Sequence, residues 1–219
     1  MSYPILYSFR RCPYAMRARM ALFVSCQTFE IREVLLNNKP LEFINTSPKG
    51  TVPVLEFSSG KVIEQSLEIM CWALKKNDPL GWLTPEIGAF EDMLELIKNV
   101  DGDFKYNLDH YKYAQRYENS DPMLHRTEGE EFLRLLNERL GQYDYLFGNR
   151  PSLADYAIMP FVRQFANTER TWFNALRISA LQKWLNDLLT SEIFIAIMNK
   201  YPAWQDGDSP LIFDNNIQK

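Results

Sequence analysis

The 219-residue chain is poor in the residues that most often carry specialised chemistry, with three cysteines, two histidines and nine glycines. Three cysteines in no repeated spacing cannot build the disulfide framework of a small secreted domain, and they suit a reducing compartment. His110 and His125 are isolated in the sequence, and no cluster has zinc-ligand spacing, so no metal is expected. Positive charge is not in excess either. With 24 Lys and Arg against 28 Asp and Glu, the net charge is −4 and nothing resembles the basic stripe of a nucleic-acid binder. No segment approaches the roughly 18 apolar residues of a membrane span. The opening Met1-Ser2-Tyr3-Pro4 lacks the charged and apolar regions of a secretory signal. These absences lead to the expectation of a soluble cytoplasmic protein with no membrane or nucleic-acid partner.

What is present is a large stock of core-forming residues. The chain is 46% apolar, 14% aromatic and 24% charged, a globular composition, and its length suits one or two domains. Strand and helix signals alternate through the first eighty or so residues. Ile5 to Phe9 is a short apolar strand; Met16, Met20, Phe23 and Val24 recur at helical spacing, with Arg17 and Arg19 between them; Phe29 to Val34 alternates in strand fashion. Pro40 to Asn45 has room for one or two helical turns. Val52 to Phe57, a Ser58-Ser59-Gly60 turn and Lys61 to Glu64 read as a hairpin, and a helix over Ser66 to Lys75, with Ser66 as its N-cap, closes a βαβαββα unit. The proline- and glycine-bearing stretch 77–85 is a linker. Beyond it everything reads as helix. Phe90, Met93, Leu94, Ile97, Phe104 and Leu108 mark one helix, and Phe132, Leu135, Leu136, Leu140, Tyr143 and Phe147 a second. Two more follow near 152–167 and 175–190, the first interrupted by Pro160, which should kink it. The expected organisation is residues 1–76 as an α/β domain, 77–85 as linker and 86–219 as an all-helical domain. Ser152-Leu153-Ala154-Asp155 is a capping box, which explains Asp155 without chemistry.

The most specific motif is Cys12-Pro13-Tyr14-Ala15, which follows the first strand and opens the first helix. A helix start favours an anion, because its unpaired N–H groups and dipole present positive charge, so the thiolate of Cys12 should be stabilised and its pKa lowered. Arg10 and Arg11 act in the same sense. Ala15 stands where a C-x-x-C motif has its second cysteine, so any resolving thiol must come from elsewhere. Cys26 and Cys71 lie in apolar helical runs and read as buried structural thiols.

A βαβαββα unit with Cys-Pro at its first helix start, Val52-Pro53 before the third strand and a polar pair, Gln65-Ser66, before the third helix resembles the thioredoxin-like domain of glutathione transferases. The all-helical half strengthens the likeness. The run Tyr7 to Ala15, with Asn38-Lys39-Pro40 and Val52 to Glu56, resembles the omega-like, cysteine-bearing branch. Two departures stand out: the first strand begins at Ile5, so the N-terminal extension of omega enzymes is not expected here, and Gln65 replaces their glutamate.

The resemblance implies an α/β thioredoxin-like N-terminal domain, an all-α C-terminal domain, glutathione as cosubstrate and a homodimer. It implies a cis Pro53 that turns the Val52 backbone toward the cysteinyl part of glutathione, with Gln65 and Ser66 holding the γ-glutamyl carboxylate. Lys39 would approach the glycine end, and Tyr14 would line the pocket beside the thiol. Cys12 would be the nucleophile of a thiol transferase or reductase acting on small electrophilic, disulfide or oxidised substrates. Two other readings stay open: a hydroxyl of Tyr7 or Ser8 that activates glutathione for conjugation, and a non-catalytic binding module. Phe9, Tyr113, Trp172 and Trp204 are candidate walls for the second substrate.

Overall fold

The computed structural model describes residues 3–213, in two compact units. The first comprises residues 3–80 together with 192–213, and the second residues 81–191. Met1 and Ser2 of the expected α/β domain, and residues 214–219 of the expected helical domain, lie outside the described residues.

The first unit begins as the sequence predicts, with β1 (Ile5–Ser8), α1 (Pro13–Val24), β2 (Phe29–Glu33), α2 (Leu41–Thr46), β3 (Val54–Glu56), β4 (Val62–Ile63) and α3 (Ser66–Lys76). Strand β1 runs parallel to β2, in the register Ile5↔Glu30 to Ser8↔Glu33, and antiparallel to β3, which pairs in turn with β4. Helix α1 packs on α3. The N-cap position of α3 is taken by Gln65, with Ser66 as its first helical residue, so the expected Ser66 cap is displaced by one.

The second unit holds α4 (Phe90–Asn99), α5 (Lys105–Lys112), α6 (Pro122–Leu140), α7 (Leu153–Ala166), α8 (Arg170–Ala175) and α9 (Ser179–Leu189). The single helix expected around Phe90 to Leu108 is broken into α4 and α5 by a π-helical turn, Val100–Phe104, where Gly102 departs from helical geometry (φ −94°, ψ −107°). Glycine permits that break. Helix α7 continues through Pro160. Its capping box is formed, and the buried Asp155 accepts from Ser152 N, Ser152 Oγ, Leu146 N and Trp184 Nε1 at 2.8–2.9 Å. His110 and His125, isolated in sequence, meet with ring centroids 4.7 Å apart. Among the described residues no cluster suits a metal ion and no helix is long and apolar enough to cross a membrane.

The end of the chain departs from expectation. Residues 192–213, assigned from the sequence to an all-helical domain, belong to the first unit, with α10 (Glu192–Ile197) packed on α1 and β5 (Ile212–Phe213) paired antiparallel to β2. The sheet order is therefore β4-β3-β1-β2-β5. This tail explains why β2 is buried along its whole length despite alternating polar residues. Arg32 stacks on Trp204 at 4.1 Å and reaches Glu30 and Glu42 at 2.6 Å each, so its buried charge is paired.

Candidate active site

Cys12 occupies the N-cap position of α1, and Pro13 fills the first helical position, where its missing N–H leaves no bond unmade. The turn before it closes through Cys12 N, which donates to Phe9 O at 3.0 Å. The half-buried thiol lies 3.7 Å from the carbonyl oxygen of Val52, and the Val52-Pro53 bond is cis, as the resemblance implied. Beneath them Tyr7, Val34, Phe43, Val52, Val54 and Trp204 form a buried cluster on which Phe9, Cys12 and Ile44 pack.

The other expected residues are spread around this centre. Lys39 is exposed, with its ammonium against Gly50, two residues before Val52. It lines a hollow of about 370 Å³ between the loop after β2 and the tail, with Asn38, Pro40, Trp204 and Gln205. Gln65 is exposed and Ser66 buried at the start of α3, whose lead-in is tied down by Ser47 Oγ donating to Glu64 Oε1 at 2.5 Å. Tyr14 is half-buried in the first turn of α1, its ring 5.3 Å from the Arg17 guanidinium. A larger hollow, about 910 Å³, lies in the second unit and is lined by none of these residues. Size therefore does not select the site; the thiol and its neighbours do.

The hydroxyls offered as alternatives to Cys12 are already engaged. Tyr7 is buried, donates to Glu56 Oε2 at 3.2 Å and accepts from Arg32 at 3.0 Å; burial pushes its pKa up to about 12, the wrong direction for an activating group. Ser8 is buried and accepts from Arg19 at 2.6 Å. Of the candidate aromatic walls, Phe9 and Trp204 belong to the cluster under Cys12, whereas Tyr113 and Trp172 lie in the second unit, beside Arg116 and Arg126 respectively.

Cys26 corrects an expectation. It is exposed, because it falls past the end of α1 with φ +53° and no longer shares that helix's buried face. Cys71 is half-buried on α3, and burial raises its pKa.

Sequence reasoning passed over two residues. Arg19 is 1% exposed and reaches Ser8 Oγ, Phe9 O, Arg10 O and Ile197 O; Glu33, buried at the end of β2, accepts from Arg10 N at 2.7 Å. A signal was available. Arg17 and Arg19 sit two positions apart, about 200° around a helix, so one exposed stripe cannot hold both.

Residues 6–80 match the family model for the glutathione S-transferase N-terminal domain, and residues 111–206 the model for the C-terminal domain. The chain belongs to the glutathione transferase family. Among the transferases it resembles is glutathione S-transferase omega-1 of Mus musculus, 27% identical over 199 residues, which cover 90% of this chain and 77% of that protein. Two solved transferases share the fold: glutathione transferase Omega 3C of Trametes versicolor (TM-score 0.76, 22% identity, 92% of this chain and 91% of that one), and a Pseudomonas fluorescens member crystallised with two glutathione molecules bound (TM-score 0.75, 20% identity, 90% and 92%). In the transferase fold described above, the matched N-terminal segment holds every residue singled out for glutathione from the sequence.

Proposed function

We propose that this transferase is a glutathione-dependent thiol transferase or reductase with Cys12 as its nucleophile. The observation that carries the reading is the placement of Cys12 at the α1 N-cap against the Val52 backbone. The helix start favours the thiolate, and the backbone beside a cis proline offers strand-like pairing to an extended peptide. Glutathione would pair with Val52 beside Pro53, place its γ-glutamyl carboxylate on Gln65 and Ser66 at the start of α3, and turn its glycine end toward Lys39, with Tyr14 beside the thiol. The omega-type relatives and the glutathione-bound fold neighbour support the choice of tripeptide.

The chemistry follows from a lone thiolate. Cys12 attacks the glutathione sulfur of a mixed disulfide; the S–S bond breaks, the substrate thiolate leaves and takes a proton, and Cys12 is glutathionylated. A second glutathione thiolate attacks that disulfide, releasing oxidised glutathione and the Cys12 thiolate. Small disulfide, oxidised or electrophilic molecules are the substrate class, and a cytoplasmic homodimer is the working form, to be read from the mass in solution.

The deciding experiment compares wild type and Cys12→Ser in glutathione-dependent reduction of a small mixed disulfide, with intact mass recorded after exposure to oxidised glutathione. Activity and adduct should both vanish in the variant. Activity that persists without Cys12 returns the hydroxyl mechanism, and inactivity of both proteins the binding module.

A further inference from the structure

The turn that carries Cys12 is held from within the fold by two buried side chains of opposite charge. Arg19 of α1 spends its donors on neutral oxygens: Nη1 on Ser8 Oγ (2.6 Å) and Phe9 O (3.4 Å), Nη2 on Arg10 O (2.8 Å) and Nε on Ile197 O (3.1 Å). Glu33 accepts from Arg10 N at 2.7 Å, and its second oxygen is buried with no hydrogen-bond donor among the described residues. None of the Arg19 acceptors is a carboxylate. A buried cation bonded only to neutral oxygens keeps most of its field, and that field acts on whatever anion can form nearby.

We infer that Arg19 is a positioning residue for Cys12: its planar fork fixes the Phe9–Cys12 turn, its buried charge favours the thiolate, and Glu33 opposes that charge. The inference rests on the proposed role of Cys12. Burial lowers the Arg19 pKa only to about 10, so the guanidinium stays charged at neutral pH, and Glu33 and Cys12 are the acidic groups whose charge acts on it most. Among the described residues, the charged and titratable groups around the turn include Arg10 and Arg11 within it, Arg19 from α1, Glu33 from β2 and Tyr201 from the tail. Through Ile197 the same fork also ties α10 to the turn.

The test reads the thiol itself. The rate at which iodoacetamide alkylates Cys12, followed by mass on the Cys12-containing peptide, is measured against pH for wild type, Arg19→Met, Arg19→Lys and Glu33→Gln. Removing the charge in Arg19→Met should move the midpoint up by about one pH unit, roughly a tenfold loss of alkylation at any pH below both midpoints. Arg19→Lys should recover most of that midpoint but, lacking the planar fork, should lower the kcat of disulfide reduction with little change in KM. Glu33→Gln, which keeps an acceptor for Arg10 N, should move the midpoint down. General damage to the fold would shift both sites the same way, so opposite signs support the inference. If Arg19→Met does not fold, Glu33→Gln decides: a midpoint that stays or rises overturns the inference. So does a wild-type midpoint in folded Arg19→Met. Activity surviving in Cys12→Ser would instead overturn the mechanism while leaving these midpoints readable.

Discussion

The ammonium nitrogen of Lys39 rests against Gly50, so close that a β-carbon on Gly50 would stand 3.3 Å from it and 3.1 Å from Ile44 Cδ1. Gly50 also has φ +60°, where an L side chain costs about 1 kcal/mol. Two variants therefore probe the glycine end of the proposed glutathione site. Lys39→Met should raise the KM for glutathione about two- to fivefold, the range of an exposed ion pair, with kcat retained and the difference fading in high salt. Gly50→Ala should raise the same KM by displacing the ammonium. A KM unchanged in both would remove Lys39 from the site.

In the second unit, Gly129 on α6 faces the Phe165 ring of α7, and a β-carbon there would meet ring carbons at 2.4 and 2.6 Å. Helix propensity alone favours alanine by about 1 kcal/mol, while overpacking a core costs about 1–3 kcal/mol. A rigid aromatic ring cannot swing aside as a flexible chain end can, so the clash should win. Gly129→Ala is expected to lower the urea midpoint; a stabilised variant would mean that the two helices have room to separate.

Much of this architecture was legible because local signals and global fold agree. The period-two and period-3.6 patterns, the Ser58-Ser59-Gly60 turn, the Cys-Pro helix start and the Ser152–Asp155 box each depend on neighbours in sequence. What stayed hidden depends on distant partners. The pairing of Ile212–Phe213 with β2 is too short to announce itself, and without it the burial of Glu30, Arg32 and Glu33 has no visible cause. Arg19 looks like an ordinary helix arginine until Ile197, 178 residues away, supplies one of its acceptors. Cys26 was misjudged because one residue in the left-handed region takes it off the helix face.

Asp155 is a fully engaged buried carboxylate, with four donors converging on it from three places in the sequence. Deleting it in Asp155→Ala leaves Leu146 N, Ser152 N and Trp184 Nε1 buried without their acceptor, a loss of about 3–5 kcal/mol. Asp155→Asn keeps the shape but turns an NH₂ group toward donors, and should also destabilise. Both should show sharply lower denaturant midpoints while the remaining folded protein keeps its glutathione chemistry. Normal stability with lost activity would return Asp155 to the catalytic reading rejected from the sequence.

Stability should respond to alkaline pH with a definite sign. Tyr7, Tyr111 and Tyr156 are all buried, and burial pushes each up to about 12 from the ordinary value of 10. Between those limits the folded chain keeps protons that the unfolded chain has lost, so the contribution of these tyrosines is level below pH 10 and falls as pH rises toward 12. Each tyrosine contributes a slope of up to about 1.4 kcal/mol per pH unit. Arg19 pulls the other way, because its folded value near 10 lies below the ordinary 12.5 and the folded chain gives up that proton first. These three against Arg19 leave a net loss of up to about 3 kcal/mol per pH unit, and Tyr117, Tyr145 and Tyr201, which burial also pushes up, add to it in the same direction. Urea unfolding at pH 9, 10 and 11 measures it, and Tyr7→Phe should flatten the slope by one tyrosine's share. If the folded protein instead ionised all eleven of its tyrosines together near pH 10, these rings would have to be in contact with water.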